Sequence, residues 1–292
     1  MKHNKYLLTV FSVIAAAAAL VGCTATRAAE ETEKLNVTVS ILPEAYFVER
    51  IGGDLVNVNV MVGPGESPHT YEPQPAQMED LAVSRIYFSI GVEFEDAWLG
   101  KFAETNPDMK IIDASATIQR IPMTASEEEE GELDPHVWLS PANVRIIAQN
   151  IEAALSEEDP ANSDVYKANL DDFLQDIDAL DEEISASLST LTTRKFITFH
   201  PAWGYFARDY DLEQIAIEVG GNEPSAAEMA DLITTAQENQ IQIIFAQPEF
   251  STKAAETIAD EINGRVILVS PLAENWLENM KLITESLSSA LK

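Results

Sequence analysis

Three of the four histidines in this 292-residue chain lie in loops that are rich in proline and aromatic residues. His69, His136 and His200 are 67 and 64 residues apart, so no local zinc-finger spacing applies to them. Three imidazoles that converge on one point offer nitrogen ligands in part of a tetrahedron, which suits zinc. The histidines therefore predict a metal site assembled from distant segments.

The elements that must position these histidines alternate between short β-branched runs and helical stretches. This alternation predicts an α/β fold with mostly parallel sheets and helices on their faces. Ligands of such sheets bind beyond the carboxyl ends of the strands. The predicted strands are 36–41, 56–62, 85–90, 110–112, 196–199, 213–219, 242–245 and 266–269. The predicted helices are 44–51, 77–83, 95–104, 141–155 and 273–291. Ser225, with Glu228 three residues later, is typical of a capping box and predicts one more helix that begins there.

One further helical signal organises the whole chain. Apolar residues keep a spacing of three or four from Tyr166 to Leu191, with no proline or glycine in between. A helix of roughly 30 residues would be about 45 Å long, which exceeds the width of a small domain. We therefore expect two lobes joined by this linking helix, with the ligand in the cleft between them. The predicted boundaries are 35–158 for the N-terminal lobe, 159–192 for the linking helix and 193–292 for the C-terminal lobe.

The N-terminus has the features of an export signal. Two lysines precede a 14-residue, mostly apolar run at 7–20, which is too short to cross a hydrocarbon core of about 30 Å as a permanent span. The run leads into the letters LVGC, which resemble the lipobox of exported lipoproteins, and Cys23 is the only cysteine. We predict a signal peptide at 1–22, a lipid-anchored tether at 23–34, and a location on the outer face of the cytoplasmic membrane.

The charge balance excludes one class of partner. The formal net charge is −31 and the sequence pI is about 4.2. A surface this acidic repels phosphate backbones, so we expect no nucleic-acid binding.

The segments around the three histidines resemble the ligand-bearing motifs of the zinc- and manganese-binding solute-binding proteins of ABC importers, the ZnuA/TroA-like family. They read HTYEPQP, DPHVWLSP and FHPAWGYFARDY, and they are specific in combination. The resemblance covers essentially the whole chain after the signal peptide. It implies a receptor with a helical backbone that opens less than hinged binding proteins. It also implies high-affinity zinc binding by His69, His136 and His200, delivery of the ion to a membrane permease with its ATPase, and a monomer.

The fourth ligand is where this sequence departs from that family. Many members place an aspartate at the position of Ser270, and a neutral hydroxyl is a poor zinc ligand. Water, Glu249, a carboxylate of the acidic run Glu127–Glu130, and Ser270 itself stay open as alternatives. Asp134, just before the second histidine, is a candidate to orient that imidazole from behind. Three nitrogens without an evident aspartate favour zinc over manganese or iron, which prefer more oxygen.

Two other functions compete with that of a metal receptor. A zinc hydrolase or hydratase also uses three histidines and a water. The sequence has neither a GxSxG nor an HExxH motif, and it shows no general base tied to a histidine, so we expect no enzyme. The second alternative is a surface adhesin, which the metal content of the purified protein would separate from a receptor.

Overall fold

The computed structural model describes residues 34–123, 133–218 and 222–292. Within these ranges the chain forms two four-stranded parallel sheets, as the alternating pattern predicts. The predicted signal peptide, Cys23 and the acidic run Glu127–Glu130 lie outside the described residues. In the described part of the chain, no helix is both long and apolar enough to cross a membrane.

The first sheet has the strand order β2-β1-β3-β4. Val37 and Thr38, which point to opposite faces of β1, are both 0% exposed, the burial expected of a parallel sheet with helices on both faces. The strands are β1 (Leu35–Ile41), β2 (Val56–Val62), β3 (Ile86–Ser89) and β4 (Lys110–Asp113). The helices of this half are α1 (Leu42–Gly52), α2 (Pro75–Leu81), α3 (Glu93–Thr105) and α4 (Pro141–Glu158).

The predicted long helix is α5 (Ser163–Leu188), with 26 residues and a length of about 39 Å. Its buried residues recur every third or fourth position from Tyr166 to Leu188. Phe173, near its middle, packs against Phe47 of α1 and Trp276, with ring centroids 6.0 and 6.4 Å apart. Because Trp276 begins the last helix of the chain, α5 contacts elements of both halves.

The second sheet has the strand order β6-β5-β7-β8. Its strands are β5 (Lys195–Thr198), β6 (Glu213–Ala216), β7 (Ile243–Ala246) and β8 (Arg265–Leu268). The helices of this half are α6 (Gly204–Asp209), α7 (Ala226–Glu238), α8 (Lys253–Glu261) and α9 (Trp276–Ala290). The capping box of α7 is confirmed, since Ser225 N donates to Glu228 Oε2 over 2.6 Å and Ser225 Oγ accepts from Glu228 N.

Two features of this half differ from the sequence prediction. Strand β6 ends at Ala216 rather than at 219. Ile217 N still donates to Thr198 O over 2.8 Å, but Glu218 N turns to the carbonyl of Phe199, over 3.1 Å. This bend carries Glu218 toward the end of β5. The helices α6 and α8 were not predicted.

The described residues from Lys34 to Lys292 pack as one compact unit. Buried side chains of α5, α1 and α9 belong to a single large core, and a second core covers one face of the second sheet. The boundaries at 35–158, 159–192 and 193–292 stay predictions.

Candidate metal centre

The structure brings the three predicted histidines together. The Nε2 atoms of His136 and His200 lie 3.1 Å apart, and the centroids of their rings are separated by 5.0 Å. The ring of His69 lies 5.1 Å from that of His200. Segments separated by more than 60 residues therefore place three imidazoles side by side.

His69 lies in the loop that connects β2 to α2. The loop opens with a turn in which Glu66 N donates to Gly63 O, and Gly65 takes the positive φ of 76° that such a turn requires. At the other end, the side chain of Gln77 ties the loop to β2: its Nε2 donates to Val60 O, while its Oε1 accepts from Tyr71 Oη. The loop is thus held at both ends beyond the carboxyl end of the sheet.

His136 precedes α4 and is fixed by Asp134. Oδ1 of this aspartate accepts hydrogen bonds from both the backbone N and the Nδ1 of His136, each over 2.8 Å. Asp134 is only 1% exposed, and its carbonyl accepts from Tyr205 Oη over 2.8 Å. Because Tyr205 belongs to α6, the second half of the chain helps to position a histidine of the first half.

His200 follows β5 and is held by a buried amide. Gln247 Oε1 accepts from the backbone N of His200 over 3.0 Å, and Gln247 Nε2 donates to its carbonyl over 2.9 Å. The Gln247 side chain also donates to Thr198 Oγ1, and Gln247 is 0% exposed. This residue, which the sequence analysis did not single out, locks the backbone of the third histidine.

A carboxylate contacts the Nδ1 atom of every one of the three imidazoles. The distances are 2.9 Å from His69 to Glu93, 2.8 Å from His136 to Asp134 and 2.7 Å from His200 to Glu218. A carboxylate at Nδ1 assigns the proton to that nitrogen and leaves the Nε2 lone pair free for a metal ion.

Sequence reasoning proposed only Asp134 for this orienting role and missed Glu93 and Glu218. Both follow sheet strands closely, Glu93 after β3 and Glu218 after β6. Acidic residues just beyond strand ends were thus the signal available in the sequence.

Burial sets the protonation of the most enclosed imidazole. Desolvation lowers the pKa of His200, and the neighbouring Glu218 offsets part of this effect. His200 is therefore neutral at pH 7, the form that can ligate a metal ion.

The pocket beside the histidines is bordered on one side by the segments that follow β7 and β8. Glu249 and Phe250 line it from the first, Pro271 and Leu272 from the second. The ring of Phe250 stacks on that of His200 at 4.9 Å and 24°. Among the described residues, no three histidine, cysteine or carboxylate side chains already enclose one point as the ligands of a filled metal site do.

The candidate fourth ligands fall in different places. Glu249 borders the pocket. The hydroxyl of Ser270 donates to Glu249 Oε1 and accepts from Leu272 N over 3.0 Å. The acidic run Glu127–Glu130 lies outside the described residues.

Comparison with known proteins agrees with this architecture. The family model described as the periplasmic zinc-uptake complex component A, ZnuA, matches residues 37–290. A crystal structure of a ZnuA deletion mutant with zinc bound has a TM-score of 0.85 and 45% sequence identity, and the match covers 89% of this chain and 99% of that one.

Two curated relatives bind different metals according to their names. The zinc-binding lipoprotein AdcA of Streptococcus pneumoniae is 31% identical over 278 residues, which cover 90% of this chain and 54% of AdcA. This chain thus spans about half the length of that relative. The manganese-binding lipoprotein MntA of Halalkalibacterium halodurans is 28% identical, and the match covers 97% of both chains. Since the family model spans nearly all of the described residues, the chain belongs to the zinc-uptake complex component A (ZnuA) family.

Proposed function

We propose that this chain is the extracellular receptor of a metal importer and that it captures one zinc ion with His69, His136 and His200. The observation that carries the proposal is the carboxylate on each Nδ1, which keeps the proton on that nitrogen and leaves the Nε2 lone pair free for a metal ion. The 3.1 Å between Nε2 of His136 and Nε2 of His200 also fits one shared ion. Two nitrogens bound to tetrahedral zinc at about 2.0–2.1 Å are about 3.3 Å apart.

His69 is the ligand that we expect to adjust when the ion binds. Its side chain is 27% exposed, whereas those of His136 and His200 are 6% and 5% exposed. Its carboxylate partner, Glu93, is itself 50% exposed, so the pair can shift together. Binding would then complete a site whose other two imidazoles are already in place.

The donor set favours zinc over manganese. Imidazole nitrogens suit zinc, whereas manganese prefers carboxylate and water oxygens. Three carboxylates next to the site, Glu93, Asp134 and Glu218, already bond to histidine Nδ1 atoms. The zinc-bound ZnuA structure and the zinc-binding AdcA support zinc, and the manganese-binding MntA keeps manganese as the alternative.

Membership of this family supports a role in passing the bound ion to a membrane transporter. We expect the mature protein to be held by lipid on Cys23 at the outer face of the cytoplasmic membrane, to act as a monomer, and to pass its ion to a permease that an ATPase drives. The lipobox-like sequence supports the anchor, and both AdcA and MntA are named as lipoproteins. Their names, and that of ZnuA, describe binding or uptake rather than catalysis.

Zinc titration of the purified protein and its single-histidine variants tests the proposal. We expect a stoichiometry near 1:1. His69→Ala, His136→Ala and His200→Ala should each lose more affinity than the roughly 10–100-fold that removal of an orienting partner typically costs. Gln175→Ala, at an exposed position on α5, is the control and should bind like wild type. Wild-type affinity in all three histidine variants would show that the site lies elsewhere.

A further inference from the structure

Glu249 is arranged in a way that the three histidines do not explain. It follows β7 and lines the pocket beside His136 and His200. Ser270 donates a hydrogen bond to its Oε1. Its Oε2 is one of the four buried side-chain polar atoms that lack a hydrogen-bond partner among the described residues.

A buried carboxylate oxygen without a partner is strongly unfavourable unless a positive charge compensates it. None of the described residues that line the pocket is a lysine or an arginine. The other carboxylates around the imidazoles, Glu93, Asp134 and Glu218, have the same sign as Glu249. A cation in the pocket would supply the charge that none of these lining side chains offers to Oε2.

The sheet topology explains why this carboxylate lines the same pocket as the histidines. In the order β6-β5-β7-β8, the carboxyl ends of all four parallel strands meet at one edge. Beyond that edge β5 leads to His200, β6 to Glu218, β7 to Glu249 and β8 to Ser270. The strand next to that of His200 thus supplies a carboxylate, and the following strand supplies the hydroxyl that holds it.

We propose that Glu249 completes the zinc site as its fourth, anionic ligand through Oε2, and that Ser270 positions it through Oε1. This inference rests on the proposed function. The stacking of Phe250 on His200 fixes the segment to the site, so the carboxylate is pre-positioned rather than recruited from a distance. One negative ligand together with three neutral imidazoles offsets half of the charge of Zn²⁺, which three imidazoles and a water do not.

The test compares wild type with Glu249→Gln, which keeps the shape of the side chain and removes its charge. We expect zinc affinity to fall by about 100-fold or more, beyond the loss typical of an orienting partner. Ser270→Ala should lose about tenfold or less, because the carboxylate is kept but no longer held. Glu261→Gln, which removes the same charge from an exposed position at the end of α8, should bind zinc like wild type.

Cobalt substitution separates direct ligation from a general charge effect. If Glu249 occupies the fourth position, azide should leave the visible spectrum of cobalt-loaded wild type unchanged and should alter that of Glu249→Gln, where water has become the exchangeable ligand. An azide response in wild type as large as in Glu249→Gln, or wild-type zinc affinity in Glu249→Gln, would overturn the assignment. Failure of the histidine site itself would appear differently, as wild-type affinity in His136→Ala.

Discussion

Replacing Gly204 by alanine tests whether the carboxylates behind the histidines hold the metal site together. Gly204 begins α6 directly against Asp134, and a Cβ added there would lie 2.4 Å from Asp134 Oδ2. Non-bonded heavy atoms approach to about 3.5 Å, so the carboxylate would have to move by about 1 Å. Asp134 is 1% exposed, and its Oδ1 receives both hydrogen bonds from His136, so it cannot move without changing them.

The expected loss of zinc affinity in Gly204→Ala follows from those two hydrogen bonds. Both are 2.8 Å long, and a 1 Å displacement away from His136 would stretch them past hydrogen-bonding distance. Loss of an orienting partner costs a metal site roughly 10–100-fold in affinity, or about 1.4–2.7 kcal/mol. The fold should survive, because overpacking costs about 1–3 kcal/mol, less than the roughly 5–15 kcal/mol by which a folded domain is typically stable.

The assay is a zinc titration against a fluorescent chelator, with circular dichroism to confirm folding. Gly100→Ala is the matched control, because a Cβ on this exposed glycine of α3 would meet nothing within 4 Å. It should leave zinc affinity unchanged and add up to about 1 kcal/mol of stability. A folded Gly204→Ala protein with wild-type zinc affinity would refute the role assigned to Asp134.

Two further predictions concern stability. Zinc at about 100-fold above its dissociation constant should stabilise the protein by about 2.7 kcal/mol and raise the melting temperature by roughly 5–10 °C. Manganese at the same concentration should shift the melt much less, and an equal shift at limiting concentration would point to an oxygen-rich site. The second of these predictions concerns pH. Burial raises the pKa of Glu44 well above its ordinary value, and the negative charges of Glu95 and Asp113 raise it further. A carboxyl with a raised pKa in the folded state stabilises the protein when protonated, and this contribution is lost as pH rises through that pKa. Chemical unfolding of wild type should therefore show a larger loss of stability with rising pH than Glu44→Gln, in which the buried Glu95 with its own raised pKa remains, and identical pH profiles would contradict this.

Much of the fold could be predicted because its signals are local. Both sheets and the long helix α5 were predicted, since apolar runs and a spacing of three or four residues depend only on neighbouring residues. The cap of Ser225 on α7 was also predicted for that reason. The short helix α6 was missed, because its buried residues Tyr205 and Phe206 read as part of an aromatic loop.

The candidate site was predicted in part. Asp134 lies two residues from its histidine, so a local motif was enough to suggest the contact. Glu93 lies 24 residues after His69, and Glu218 lies 18 residues after His200, so nothing local links these pairs. The position of Glu249 could be suggested from the end of β7, but its bond to Ser270 could not.

The sequence by itself determined both parallel sheets, most of the helices and the three histidines with their candidate chemistry. Residue type and periodicity carry that information along the chain. Only the tertiary structure decided that the Nε2 atoms of His136 and His200 lie side by side, that a different carboxylate contacts each Nδ1, and that Glu249 lines the pocket with one oxygen unpaired. The physical reason is that these contacts depend on which strands are neighbours in each sheet and on how the two sheets pack, and no spacing in a single sequence records either.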